Sequence, residues 1–405
     1  MSEPRALLPD AAAEFLAAHP DTLWVDAILA DLSGVVRGKR YPVEQLGKLL
    51  GRGFTLPSSV FLLDTMGRSH DPAGHGFSDG DPDSLARVVP GSLKPVPWSE
   101  RPSCQVLVTL VDEQERPYFF EPRNVLRRVV ERFDKLSLRP VVAFELEFYL
   151  IDPERGENGA PQPPINPLSG RRDSGTQVYG MVDVEAYADV LEAIHKACAA
   201  QDIPCGAISA EYAPGQFEVN LEHVPDPLLA ADHCVLFKRA VQGVVRRFGL
   251  RATFMAKPYV EQAGSGLHLH ISMLDKQGHN VFDGGHALSP QLGCAIAGVL
   301  ETLPEAMAFL APNVNSYRRF MPNIFVPIRR SWGHENRSAA LRIPLGDGSA
   351  KRIEHRVAGA DANPYLALAT ALAGIHYGIS ESLEPPPMTE GNAGFAYDKA
   401  LPFRP

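Results

Sequence analysis

The chain has 405 residues, long for one compact core, and its 45% apolar and 21% charged content is ordinary globular usage, which excludes a mainly disordered protein and favours two domains. Thirty-nine basic against 48 acidic side chains leave a net charge of −9, which argues against a nucleic-acid binder with its cationic footprint. The 34 glycines and 36 prolines follow no repeat, as in a loop-rich enzyme. Cys104, Cys198, Cys205, Cys234 and Cys294 form no C-x-x-C pair, so neither a disulfide framework nor a thiolate zinc site is suggested. The opening residues do not read as a secretion signal, and no uninterrupted apolar run approaches the ~20 residues of a bilayer span. A cytoplasmic protein is expected.

In chain order, Asp10 to Ala18 predicts a short amphipathic helix. Leu23 to Val36 reads as a strand pair turning at Ser33-Gly34, followed by the basic tract Arg37-Gly-Lys-Arg40. Gly67 to Pro102, rich in Gly, Pro, Asp and Ser, reads as long ordered loops or a flap. Gln105 to Val111 is a strand, and Pro122 opens a helix with Val125, Leu126, Val129, Val130 and Phe133 at helical spacing. The domain boundary is placed near Pro117: a helical extension over 1–20, a small domain over 21–117 and a large one over 118–405.

Four strands of the large domain carry polar groups on one face. Period-two alternation puts Val142, Phe144, Leu146, Phe148 and Leu150 on a core face and Glu145 and Glu147 together on the other, where two adjacent carboxylates repel unless a cation lies between them. In the stretch Glu211 to Glu222, Phe217, Val219 and Leu221 oppose Glu218, Asn220 and Glu222, and Pro214-Gly215 turns the chain so that Glu211 and Glu218 converge. His268, His270 and Ser272 share a face after Gly264-Ser-Gly266, whose glycines let backbone approach a ligand. Arg352, Glu354 and Arg356 share another, and Asp361-Ala-Asn-Pro364 caps a long Ala/Leu helix. Singly each strand is ambiguous: the Glu145–Glu147 face could be merely solvated, and arginine beside Glu354 could be only an intra-strand salt bridge. Together, carboxylates with one imidazole favour magnesium or manganese over zinc. Two such ions flanked by arginines suit phosphoryl transfer, without a P-loop.

These segments (FELEFYL, EYAPGQFEVN, GSGLHLHIS, NSYRRF, NRSAALRIP, RIEHR and NPYLALA, with DLSGVVRGKR near the N-terminus) resemble, in family order, the type I-like glutamine synthetase superfamily. The resemblance implies an α+β fold with a small N-terminal β-grasp domain and a catalytic domain on a curved antiparallel sheet. It implies one metal site from Glu147, Glu211 and Glu218 and another from Glu145, His268 and Glu354, with two or more Mg2+ or Mn2+ ions. Arg319, Arg356, His268 and the Gly264 backbone would hold the amino-acid substrate. Arg337 and Arg342, with Ser272, His270 and Arg352, would hold ATP, and Arg337, Arg319 and Arg356 would serve catalysis. The implied reaction joins the γ-carboxylate of L-glutamate to an amine through γ-glutamyl phosphate. A homohexameric ring is implied, with stacking into a dodecamer as a further arrangement; the helical tail that docks two rings in dodecameric members lies past the point corresponding to Pro405. A regulatory tyrosine like that adenylylated in some relatives is not recognisable, Tyr397 being a poor match.

Two positions depart from the ammonia-using pattern. Leu56 stands where a D-G-S-S aspartate is expected, and Phe325, six residues after Arg319, where a flap glutamate is expected. Both exchange an anion for an apolar group, so the expected acceptor is an organic amine, foremost a polyamine such as putrescine. Glu222 and the loop Asp79 to Asp83 are candidates for a distal ammonium. The alternatives are glutamine synthetase proper and a ligase for ethanolamine or a monoamine.

Overall fold

The computed structural model describes residues 10–285 and 287–395; Tyr397 lies outside them. The chain divides into two compact units, one running to Val125 and including Ile194–Ile203, the other formed by Leu126–Ala193 and the chain from Pro204 onward.

In the first unit, helix α1 (Asp10–Ala18) precedes β1 (Trp24–Ala30), β2 (Val36–Pro42), α2 (Leu46–Arg52), β3 (Phe54–Pro57), β4 (Asp83–Val88), β5 (Lys94–Pro95) and β6 (Ser103–Val111). They form a sheet in the order β2-β1-β6-β4-β3, with β5 also on β6 and the β1–β6 pairing parallel. Alternate residues of the central strands (Val25, Ala27 and Leu29; Cys104, Val106, Val108 and Leu110) are buried with Leu46, Leu49 and Phe61 as one core. Two expectations are corrected here. The second strand of the hairpin is the basic tract itself, because Gly34 (φ 75°) makes the turn and Asp31 and Asp26 neutralise Arg37 (2.9 Å) and Arg40 (2.6 Å) across it. The Gly/Pro-rich stretch from Gly67 to Pro102 is not loop throughout; β4 pairs with β3 and β6 inside it, burying Ser84 and Ala86.

The second unit holds the sheet that positions the site. Its strands are β7 (Arg139–Ile151), β8 (Cys205–Ala210), β9 (Gln216–Leu221), β10 (Arg251–Thr253), β11 (Leu267–Leu274), β12 (Trp332–His334), β13 (Leu341–Ile343) and β14 (Ile353–His355). The order is β12-β13-β14-β11-β7-β9-β8, with β10 on the far end of β7, and every pairing but β12–β13 is antiparallel. The α+β class and the curled, largely antiparallel sheet are as expected.

The remaining helices, interleaved with these strands along the chain, are α3 (Pro122–Leu136), α4 (Met181–Ala186), α5 (Ala188–Ala200), α6 (Pro227–Val244), α7 (Pro290–Leu310) and α8 (Pro364–Ser380). The cap of α8 comes from Asn363, whose side chain accepts from the amides of Tyr365 and Leu366, while Pro364 supplies the first helical residue. By length and composition α7 could cross a membrane, but 61% of its apolar window is buried inside the protein. It packs on α8 backbone to backbone: a side chain at Gly298 would run into Gly374 and Gly378, and one at Gly378 into the Cys294 carbonyl.

Candidate active site

Strand register assembles the site. Glu145 on β7 stands opposite His268 on β11 and Asn220 on β9, Glu147 stands opposite Glu218, and His270 stands opposite Glu354 on β14. The alternate residues Phe144, Leu146, Phe148, Phe217, Val219, Leu267, Leu269 and Ile271 are fully buried, as the period-two reading requires. That burial fixes the register, since a slip by one residue would turn every carboxylate into the core.

Ligand atoms of Glu145, His268 and Glu354 lie within 4.8 Å of one another, and so do those of Glu147, Glu218 and His268. His268 is common to both groups: its Nδ1 is 2.6 Å from Glu145 Oε1, and its Nε2 is 3.9 Å from Glu147 Oε1. The first trio is the one the resemblance implies. The second has His268 at that spacing in the place expected of Glu211. Glu211 sits at the Pro214-Gly215 turn, 8% exposed, and senses Glu147 and Glu145 electrostatically.

The carboxylates are orientated from below and beside. Glu147 Oε2 accepts from the Gly266 amide (2.9 Å) and from Gln216 Nε2 (3.4 Å), and Asn220 Nδ2 donates to Glu145 Oε2 (2.7 Å). Gln216 and Asn220 had no role assigned from sequence. The signal was present, because both share the polar face of β9 with Glu218. Arg352 Nε donates to His270 Nδ1 (3.1 Å), which leaves the Nε2 proton to face Glu145 Oε2 at 3.3 Å.

The electrostatics are those of an anion cluster awaiting cations. Burial pushes Glu218 up to about 11, with the charges of Glu145 and Glu147 adding to it; burial, then Glu147 and Glu145, push Glu211 up to about 8. Glu354 behaves oppositely. Burial alone would raise it, but the Arg356 guanidinium, the largest opposing influence, brings it down to about 2. Burial works against the Glu145 charge as well, and hydrogen bonds from His268 and His270 hold that carboxyl well below the usual range. Oxygen-rich donors with one imidazole, carrying more negative charge than they can keep, fit two divalent ions of the magnesium or manganese kind.

Arginines ring this cluster. Arg342 Nη1 donates to Glu354 Oε2 (2.7 Å), and Arg356 bonds the other Glu354 oxygen. Arg356 also donates to the Arg337 carbonyl (3.1 Å), and Arg337 Nη1 reaches the Tyr179 hydroxyl (3.3 Å). Arg319 is buried, donating from Nη1 to the Val357 carbonyl (3.0 Å). Its Nη2, His268 Nε2 and Glu147 Oε1 converge on the space left open by Gly266, at 3.1, 2.8 and 3.2 Å from where a Cβ would stand. Gly264 is equally constrained, since a Cβ there would meet Arg319 Cγ at 2.6 Å. Ser272 is buried at the far end of β11, two residues beyond His270 on the same face.

Phe325 is half-exposed, its ring 6.3 Å from that of Tyr212. It borders a cleft of ≈ 560 Å³ with Glu335, Arg337, Met388 and Glu390. Tyr212 was not foreseen; it follows Glu211 directly and so comes to the site with it. Leu56 belongs to the first unit, 5% exposed in that unit's core and opposite Ser84 on β4. Glu222, at the end of β9, is exposed, and Asp79 binds its own loop through the amides of Gly76 and Asp81.

Comparison with known proteins agrees with this chemistry. Residues 119–400 match the family model of the glutamine synthetase catalytic domain. The chain is 46% identical over 390 residues to gamma-glutamylputrescine synthetase PuuA of Escherichia coli (strain K12), covering 96% of this chain and 82% of that one. It is 33% identical to glutamate–isopropylamine ligase of a Pseudomonas species, over 94% of this chain and 83% of the relative. A solved structure described as a GmaS/ADP complex superposes with a TM-score of 0.80 at 28% identity, covering 97% of this chain and 87% of that one. The chain therefore belongs to the glutamine synthetase family, as an enzyme of its glutamate–amine ligase kind.

Proposed function

We propose that this enzyme joins the γ-carboxylate of L-glutamate to an organic amine, with hydrolysis of ATP to ADP and phosphate, and that a polyamine such as putrescine is its preferred acceptor. The observation that carries the ligase reading is the convergence of Glu145, Glu147, Glu218, Glu354 and His268 from four strands, with buried arginines on the same side. Divalent ions bound by these residues, with Glu211 as a further ligand, would offset charge on the phosphate oxygens.

The chain's own groups have separable tasks. Arg319 and Arg356, with the Gly264 backbone and His268, orient glutamate so that a γ-carboxylate oxygen lies in line with the terminal phosphorus. Arg337 and Arg342, with Ser272, His270 and Arg352, hold the phosphates and the nucleotide. Attack breaks the bond to ADP and forms γ-glutamyl phosphate, while Arg337 offsets the charge on the phosphoryl group in transit. The amine, as its neutral free base, then attacks the acyl carbon; phosphate leaves with the bonding pair and carries away the proton that the nitrogen sheds as the amide forms.

An organic acceptor is supported by Phe325, which pairs with Tyr212 where an ammonia-using relative is expected to carry a carboxylate. The names of the two relatives above point the same way. The assembly proposed with it is a homohexameric ring in the cytoplasm; Leu56, buried in the core of the first unit, is not offered as part of the acceptor site. The reading is tested by ATP- and amine-dependent phosphate release with putrescine, spermidine, ethanolamine, isopropylamine and ammonium. Release with putrescine at higher kcat/KM than with ammonium is expected. Preference for ammonium contradicts the acceptor; no amine-dependent release with glutamate contradicts the ligase.

A further inference from the structure

The turn that carries Arg319 is tied to a carboxylate no catalytic step uses. Asp361 lies between β14 and α8, in the segment that continues from Arg356. Its Oδ2 accepts from Ser316 Oγ (2.6 Å) and from Asn313 Nδ2 (2.9 Å), so one oxygen holds both ends of the 313–316 turn. The turn is closed on itself as well: the Ser316 amide donates to the Asn313 carbonyl (2.9 Å), and the Asn313 amide to Ser316 Oγ (3.1 Å). A single-turn helix over Ser316–Arg319 follows at once and delivers the arginine.

The second oxygen, Oδ1, is buried without a hydrogen-bond partner and lies on the same side of Gly359 as Arg319 Nη1. Arg319 Nε is likewise buried without a partner. A fixed, incompletely satisfied anion beside a buried, incompletely satisfied cation is costly as a purely structural device. It is useful where the cation must stay charged and aimed before its ligand arrives. A second, half-buried cation adds to this, because Lys238 Nζ donates to the carbonyl of Ala362, the next residue (3.2 Å). Burial disfavours the charges of both Lys238 and Arg319, and Asp361 is among the groups that offset it for each.

We infer that Asp361 is a positioning residue for substrate binding: it clamps the turn at Ser316 and, through its charge, holds the Arg319 guanidinium ready for a carboxylate of the amino-acid substrate. This rests on the reading of Arg319 given under the proposed function and adds to it a residue placed by contacts alone.

Steady-state kinetics of Asp361→Asn and of the Asn313→Ala/Ser316→Ala double variant, beside Arg319→Ala, test it. The first keeps shape and removes charge; the second keeps charge and loosens the turn. Asp361→Asn is expected to raise KM for glutamate about tenfold to a hundredfold, the worth of a hydrogen bond to a charged group, and to leave KM for ATP within about twofold. The double variant is expected to shift the same constant by a smaller factor, and Asp361→Glu to recover part of the loss. A merely structural residue would lower stability or the active fraction and leave the two KM values in their original ratio. That outcome in a folded Asp361→Asn or double variant, with Arg319→Ala still raising KM for glutamate, overturns the inference alone. If Arg319→Ala leaves KM for glutamate unchanged, the assignment of Arg319 falls first.

Discussion

Glu218→Gln is expected to act in opposite directions with and without metal. In the metal-free fold Glu218 is pushed from 4.5 up to about 11, by burial and then by the charges of Glu145 and Glu147. The folded protein therefore keeps a proton that the unfolded chain releases above pH 4.5. The stability this group contributes is full below that pH and is lost progressively as pH rises toward 11. At pH 7 the interval above 4.5 is 2.5 units, which at 1.36 kcal/mol per unit is about 3 kcal/mol as an upper bound. Glutamine does not titrate, has nearly the volume of the protonated side chain and keeps a donor toward Glu145. In excess chelator, Glu218→Gln should thus melt at a higher temperature than the wild type at pH 7 and at about the same temperature at pH 4. With saturating Mg2+ the order should reverse, because ligand binding to the folded state stabilises only the protein that binds it. Thermal melts across pH 4 to 8, with chelator and with metal, read both halves. A variant less stable than the wild type in chelator at pH 7 would mean that Glu218 is not held protonated at a cost to the metal-free fold.

Other perturbations separate the site's parts. Because Glu211 and Glu218 hold protons in the metal-free protein, metal loading should release protons at pH 7, and metal affinity should rise with pH toward 8; calorimetry in buffers of different ionisation enthalpy measures this directly. Gly266→Ala places a methyl 2.8 Å from His268 Nε2 and 3.2 Å from Glu147 Oε1, and should weaken metal binding by about tenfold to a hundredfold while the fold persists. Arg337→Ala should lower kcat by about 10²-fold to 10³-fold with a smaller change in KM for glutamate, as for loss of a group that offsets charge in the transition state. Phe325→Glu should lower kcat/KM for putrescine and raise it for ammonium, by about tenfold in the ratio; an unchanged ratio would remove Phe325 from acceptor choice.

Much of this site was legible because its elements obey the simplest rule available. In β7, β9 and β11 the side-chain period of two is unbroken, so the apolar positions declare the core face and whatever polar groups remain must share the other. Glu145, Glu147, Glu218, His268 and His270 followed from that alone, and Glu354 from its place between Arg352 and Arg356. What sequence could not supply was pairing. Only register shows that His268 stands against Glu145 and within 4 Å of Glu147, and so sits at the junction of both ligand groups. Glu211 lies at a turn, where no periodicity fixes a side-chain direction, and the spacing leaves it outside both groups. In β2 the charged residues Arg37, Lys39 and Arg40 fall on both faces, so local polarity hid a strand whose arginines are paired with Asp31 and Asp26. Asp361 read as one member of a helix cap, and the cap proved to be Asn363, freeing Asp361 for contacts forty-five residues away in sequence. Such a contact leaves no local pattern.

Side chains from β7, β9, β11 and β14 are placed to hold a pair of divalent ions. Anomalous diffraction from crystals grown with Mn2+ and ADP would locate those ions. Two peaks are expected, one bounded by Glu145, His268 and Glu354 and the other by Glu147 and Glu218. Full manganese occupancy elsewhere, with no anomalous density among these residues, would contradict it.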